Sequence, residues 1–161
     1  MTADSPFVSD ENIRSILERQ KLLVGELTWS EDPNQSRYRL ARFVVADENG
    51  VTIPGLTVEF DFRRGLIVAD CKFSFTIFSQ RGLKRCRVYQ IEVMPPERRG
   101  HNGESGGIYG PHQHFGERAA VLDPVGLGCL DHEQWLREFL RRANIGWGGA
   151  YLHPQSQGDL F

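Results

Sequence analysis

The sequence predicts an α+β protein: a mainly antiparallel, strongly twisted β-sheet of about five to seven strands in hairpins, with an N-terminal and a C-terminal helix packed on it. Three observations carry this expectation. Alternating apolar and polar residues fill the middle of the chain, a period that suits half-buried strands. Short polar breaks such as Asp47-Glu48-Asn49-Gly50 join these segments; without a helix-length crossover, neighbouring strands run antiparallel. Helical spacing of apolar residues occurs only near the two ends. A chain of 161 residues is long enough for one core and short for two, so a single domain over residues 1–161 is expected, with 1–8 and 147–161 tail-like.

The elements follow in order. Ser9 or Asp10 caps a helix near residues 9–22, with Ile13, Ile16, Leu17 and Leu23 on one side and acids at its positive end. Strands are expected over Val24–Ser30, Arg37–Ala46, Val51–Phe62, Leu66–Phe78 and Leu83–Val93. Asn49-Gly50 marks a hairpin, and Arg63-Arg64-Gly65 and Gln80-Arg81-Gly82 mark further turns. Pro95-Pro96 stops the last of these strands, because proline lacks the ladder N–H. Glu97 to Gly107 reads as a long polar loop, and Ala119–Leu122 as one more short strand. Asp131 caps a second helix, with Gln134 completing a capping box and Trp135, Leu136, Phe139, Leu140 and Ala143 as its apolar stripe.

Bulk properties narrow the function classes. The formal net charge is −2, so the molecule as a whole has no electrostatic bias toward nucleic acid, and only a local basic patch would supply one. Cys71, Cys86 and Cys129 are odd in number, widely spaced and outside any C-x-x-C unit; buried free thiols in a reducing cytosol are expected rather than a disulfide framework. No basic-then-apolar leader opens the chain, and no apolar run approaches bilayer length. A soluble, cytoplasmic protein without a membrane partner is the expectation.

The chemistry concentrates in Gly106-Gly107-Ile108-Tyr109-Gly110-Pro111-His112-Gln113-His114-Phe115-Gly116-Glu117. On an extended strand, His112 and His114 share a face. As an acid–base pair they would suit RNA cleavage without a cofactor, one imidazole accepting a proton while the other donates. Arg98, Arg99 and Arg118, with His101, would then clamp phosphate. Tyr109 would orient an imidazole or stack a base, and Glu117 would complete the site. As metal ligands, His112 and His114 would bind a divalent ion with Glu117, Asp123 or His101. On a purely structural reading, both imidazoles hydrogen-bond across a sheet edge. A cupin-type motif also opens with H-x-H, but Glu117 falls one residue short of its usual gap, and His153 is the only late histidine candidate. His132 is expected to be exposed and inert. The basic run Arg81, Lys84, Arg85 and Arg87 reads as an edge-strand guard or a backbone-tracking stripe.

A strand-rich body, then Tyr109-Gly110-Pro111-His112-Gln113-His114 with Glu117, then the helix Trp135 to Ala143 followed by Asn144-Ile145, resembles the TumE-like family of bacterial toxin–antitoxin toxins and related prokaryotic proteins. The likeness covers roughly the last third of the chain plus Arg37 to Val45. It implies a toxin-type protein acting on RNA or ribosome-associated RNA and held by an antitoxin partner. The leading expectation is therefore a toxin-like protein cleaving RNA phosphodiesters. The alternatives are a non-catalytic inhibitor from a phage or mobile element and a metal-binding β-rich domain; on any of these readings the chain could form an oligomer.

Overall fold

A computed structural model describes residues 8–32, 34–63, 70–103, 106–123 and 125–155. Helix α1 spans Asp10–Glu18, and the strands follow as β1 Lys21–Val24, β2 Ser30–Asp32, β3 Gln35–Asp47, β4 Thr52–Arg63, β5 Lys72–Arg81, β6 Lys84–Val93, β7 Arg99–Gly103, β8 Gly106–Tyr109, β9 His112–Phe115 and β10 Arg118–Val121; helix α2 His132–Arg142 and β11 Ile145–Gly146 complete the chain. The main sheet has nine strands in the order β10-β9-β6-β5-β4-β3-β1-β11, with β2 paired to β3. All its pairings are antiparallel except β1 with β11. The α+β architecture stands, with more strands than the sequence suggested.

Helix α1 stops at Glu18, four residues before the expected end. Ser9 caps it by accepting the Asn12 N–H at 3.2 Å. At its other end the Lys21 ammonium turns back to donate to the Ile16 carbonyl and, at 2.5 Å, to the Arg19 carbonyl. A cation suits those unpaired carbonyls, which explains why Lys21 is fully buried. Desolvation, helped by Arg19, lowers its pKa to about 8. Strand pairing then takes Lys21–Val24, opposite Asp47–Val44 of β3. Gly25, at φ +107°, breaks the strand expected over Val24–Ser30.

The hairpin at Asp47–Gly50 forms as expected: Asp47 Oδ1 accepts from the Asn49 and Val51 N–H groups at 2.9 and 3.0 Å. The expected strand start at Leu66 lies outside the described residues. The segment Glu97–Gly107 holds a second, two-stranded sheet, β7 with β8, rather than a loop alone. Its glycines hide the strands from a hydrophobic-period argument.

Helix α2 packs one face of the main sheet. Phe139 sits 5.8 Å from Phe75, 6.1 Å from Tyr89 and 6.4 Å from Phe60 between ring centroids. Such aromatic burial dominates core stabilisation in small domains. Burial pushes the Tyr89 hydroxyl up to about 12, despite nearby Arg142. Asp131 makes no side-chain cap bond with α2 and instead accepts the Gly128 N–H at 2.7 Å, so the expected capping box is absent. Trp147, Tyr151 and Leu152 pack against the core, and Trp29 Nε1 donates to the Leu152 carbonyl at 2.8 Å. The segment 147–155 is therefore not tail-like.

Two further expectations are corrected. Cys71 and Cys129 form a disulfide, their Cα atoms 5.6 Å apart, and of the three cysteines only the buried Cys86 lies outside it. His132 is buried, with ring centroids 4.7 Å from Phe73, 5.3 Å from Phe75 and 5.8 Å from Trp29. Its Nδ1 lies 2.5 Å from the Tyr151 hydroxyl. The first turn of α2 faces the sheet, which puts His132 inside rather than out. No helix among the described residues is long and apolar enough to cross a membrane.

Candidate metal centre

The opposite face of the sheet carries the polar residues. Strand β6 pairs with β9 so that Glu92 opposes His112 and Gln90 opposes His114. Directly opposed residues project to the same side, and the two histidines, two residues apart, share that side. On β5, Ser74 and Thr76 stand opposite Glu92 and Gln90 and extend the patch. The flanking pair Tyr89 and Phe115 turns to the helix side, the rings 5.2 Å apart.

Glu92, His112 and His114 converge. His112 Nε2 lies 2.9 Å and His114 Nε2 3.7 Å from the same oxygen, Glu92 Oε1. One ligating atom from each falls within 4.8 Å of the others. The imidazoles are 0% and 1% exposed, whereas the Glu92 side chain keeps 17% of its exposure and forms the solvent-facing member. Burial works to raise the Glu92 carboxyl, yet hydrogen bonds with His112 and His114 outweigh it and hold the group well below the usual carboxylate range. Desolvation lowers the His114 pKa; Arg87 and His112 add to this, while Glu92 opposes it. The shift favours the neutral imidazole, the form that binds metals.

The backbone fixes His112. Its Nδ1 lies 2.9 Å from the Gly110 carbonyl oxygen, which only accepts, so Nδ1 is the donor there and Nε2 is left facing Glu92. Gly110 has φ +67°, and a Cβ there would stand 2.9 Å from Pro96 Cα. Only glycine fits that turn, which aims the histidine.

Neighbouring polar groups are tied together. Gln90 Nε2 donates to Thr76 Oγ1 at 2.8 Å, and Arg87 Nη1 donates to Gln90 Oε1 at 3.1 Å. Burial, with Glu59 and Glu92 nearby, raises the Asp61 carboxyl, against Lys72.

The other expected site residues lie elsewhere. Glu117 pairs with Arg87 at 3.6 Å, is largely exposed and is not in the cluster; Glu92 takes its place. Arg98 is held by Asp70. Arg118 lies over the Phe115 ring, 5.3 Å from its centroid, and lines with Phe115 and α1 a cavity of about 280 Å³ away from the histidines. Tyr109 is 55% exposed at the end of β8. Arg99 and His101 lie on β7, with side chains outside the described part. In the basic run, Arg85 pairs with Glu59 and stacks on Phe78, an arrangement that fits an edge guard better than a phosphate-tracking stripe.

Glu92 left one signal in the sequence: a lone acid between Ile91 and Val93 near a strand end. Its alternation with Gln90 gave the face, but the β6–β9 pairing that brings it to the histidines spans the β7–β8 hairpin. Fold and site together define an α+β sheet protein carrying a two-histidine, one-carboxylate cluster. Compared with known protein families, curated proteins and solved structures, the chain has no match.

Proposed function

We propose that this protein is a metal-binding domain that holds a divalent transition-metal ion through Glu92, His112 and His114, with remaining positions open to water or substrate. One observation carries the reading: the Gly110 carbonyl engages His112 Nδ1 and leaves its Nε2 facing a carboxylate oxygen 2.9 Å away, with His114 Nε2 3.7 Å from the same oxygen. An imidazole nitrogen and a carboxylate oxygen so placed call for positive charge between them, a proton or a metal ion. A second proton on His112 would serve those two atoms alone. A metal ion also uses the third donor, His114. Imidazole and carboxylate donors suit zinc, iron(II) or a similar ion. Such an ion polarises a bound oxygen or lowers the pKa of its water. The RNA chemistry implied by the toxin resemblance would then run through this centre, since both imidazoles lean on one carboxylate while Arg98 and Arg118 are engaged with Asp70 and Phe115.

Metal analysis of protein purified without a chelating tag tests the reading. The expected content is about one ion per chain, lost in Glu92→Gln and His114→Ala and kept in Glu117→Gln. Protein that takes up no zinc, iron(II) or cobalt(II) at saturation overturns it. The histidines are then structural, and the interaction-protein alternative gains.

A further inference from the structure

We propose that the Cys71–Cys129 disulfide is a redox latch that sets the metal affinity of the Glu92–His112–His114 centre, an inference that rests on the metal-binding reading above. The bond joins residues 58 apart in sequence, and all three ligands lie within the loop it closes. A continuous set of contacts leads from it to the site. Asp70, next to Cys71, accepts a hydrogen bond from the Arg98 guanidinium. The Arg98 carbonyl accepts the Gly110 N–H at 2.9 Å. The Gly110 carbonyl in turn accepts the His112 Nδ1–H, also at 2.9 Å. Arg98 is therefore a positioning residue: it holds the glycine that aims His112.

At the other end, Cys129 sits two residues before the N-cap of α2, in a segment whose Gly128 carbonyl accepts from Trp135 Nε1 at 3.0 Å. The disulfide thus fastens the Asp70–Cys71 segment to the residues leading into α2, the helix that packs on the face opposite the ligands. Cys71 is 7% exposed, whereas Cys129 is only half-buried, so a reductant reaches Cys129 first. A dithiol donates two electrons and two protons: its thiolate attacks Cys129 Sγ, the S–S bond breaks, Cys71 leaves as a thiolate and is protonated, and the second thiol of the reductant resolves the mixed disulfide. Two protein thiols and an oxidised dithiol result. Asp70 then loses its anchor, and His112 loses part of its alignment. Outer partners that orient a ligating histidine typically govern metal affinity by 10- to 100-fold.

The test titrates zinc into the full chain, untreated and after a non-chelating phosphine, with thiols counted by maleimide labelling. The phosphine becomes its oxide with oxygen from water while the disulfide becomes two thiols. Reduction is expected to weaken zinc binding about tenfold, and untreated Cys129→Ser should match the reduced protein. Arg98→Ala should weaken binding by a similar factor in oxidised protein and leave reduction little further effect, because both act through one path. Equal affinities with both thiols labelled, or independent effects of Arg98→Ala and reduction, overturn the latch. Should no zinc bind in either state, the ¹⁵N shift of His112 Nδ1 separates the two ideas. A shift on reduction keeps the path from the disulfide to His112 but overturns its role in metal affinity; an unchanged shift overturns both.

Discussion

The two faces of the main sheet each bury histidine, with opposite consequences. On the helix-covered face, His132 is ringed by Trp29, Phe62, Phe73 and Phe75 and bonded to Tyr151. Desolvation, aided by His153, pushes its pKa down to about 3. It is a core residue that packs as a polar aromatic. On the other face, His112 and His114 are just as buried, yet both turn a ring nitrogen toward Glu92. Burial alone therefore says little about a histidine. The carboxylate across the strand pair, and the carbonyl that fixes the ring, set a packed imidazole where a metal ligand would stand.

Substitutions on the two faces should separate stability from binding. The largest expected effect is on the helix side: Phe139→Ala removes a ring shared by Phe60, Phe75 and Tyr89 and should cost about 3–5 kcal/mol. Denaturant unfolding checks this. A loss under about 1 kcal/mol would mean that α2 is not the main cover of that face.

The pH response sharpens the contrast. His132 has a folded pKa near 3 against an ordinary 6.5, so below 6.5 the unfolded chain takes the proton first. Its contribution is whole above pH 6.5 and is lost progressively as pH falls toward 3, by up to about 1.4 kcal/mol per pH unit. Unfolding measured between pH 7 and 4 should show that slope, and His132→Phe should flatten it. An unchanged slope would place the acid sensitivity elsewhere.

How much of this was legible in the sequence depends on distance along the chain. The Asp47–Gly50 hairpin, strand β3 and helix α2 rest on local signals, and all three formed. The histidines' shared face followed from their two-residue spacing. Glu92 did not follow, because the partner of β9 is β6, twenty residues back across an inserted hairpin. Nothing local marks that pairing. The disulfide was hidden for the same reason: Cys71 and Cys129 become neighbours only once α2 docks on β5. Glu117, the acid nearest the histidines in sequence, lies in the wrong direction because the turn at Gly116 carries it toward Arg87.

Cobalt(II) substitution tests the centre most directly. If Glu92, His112 and His114 bind an ion together, cobalt should give a visible ligand-field spectrum distinct from the aqueous ion, saturating at about one equivalent and absent from His112→Ala. A titration in which cobalt keeps its aqueous spectrum throughout, with wild type and His112→Ala indistinguishable, would contradict the account.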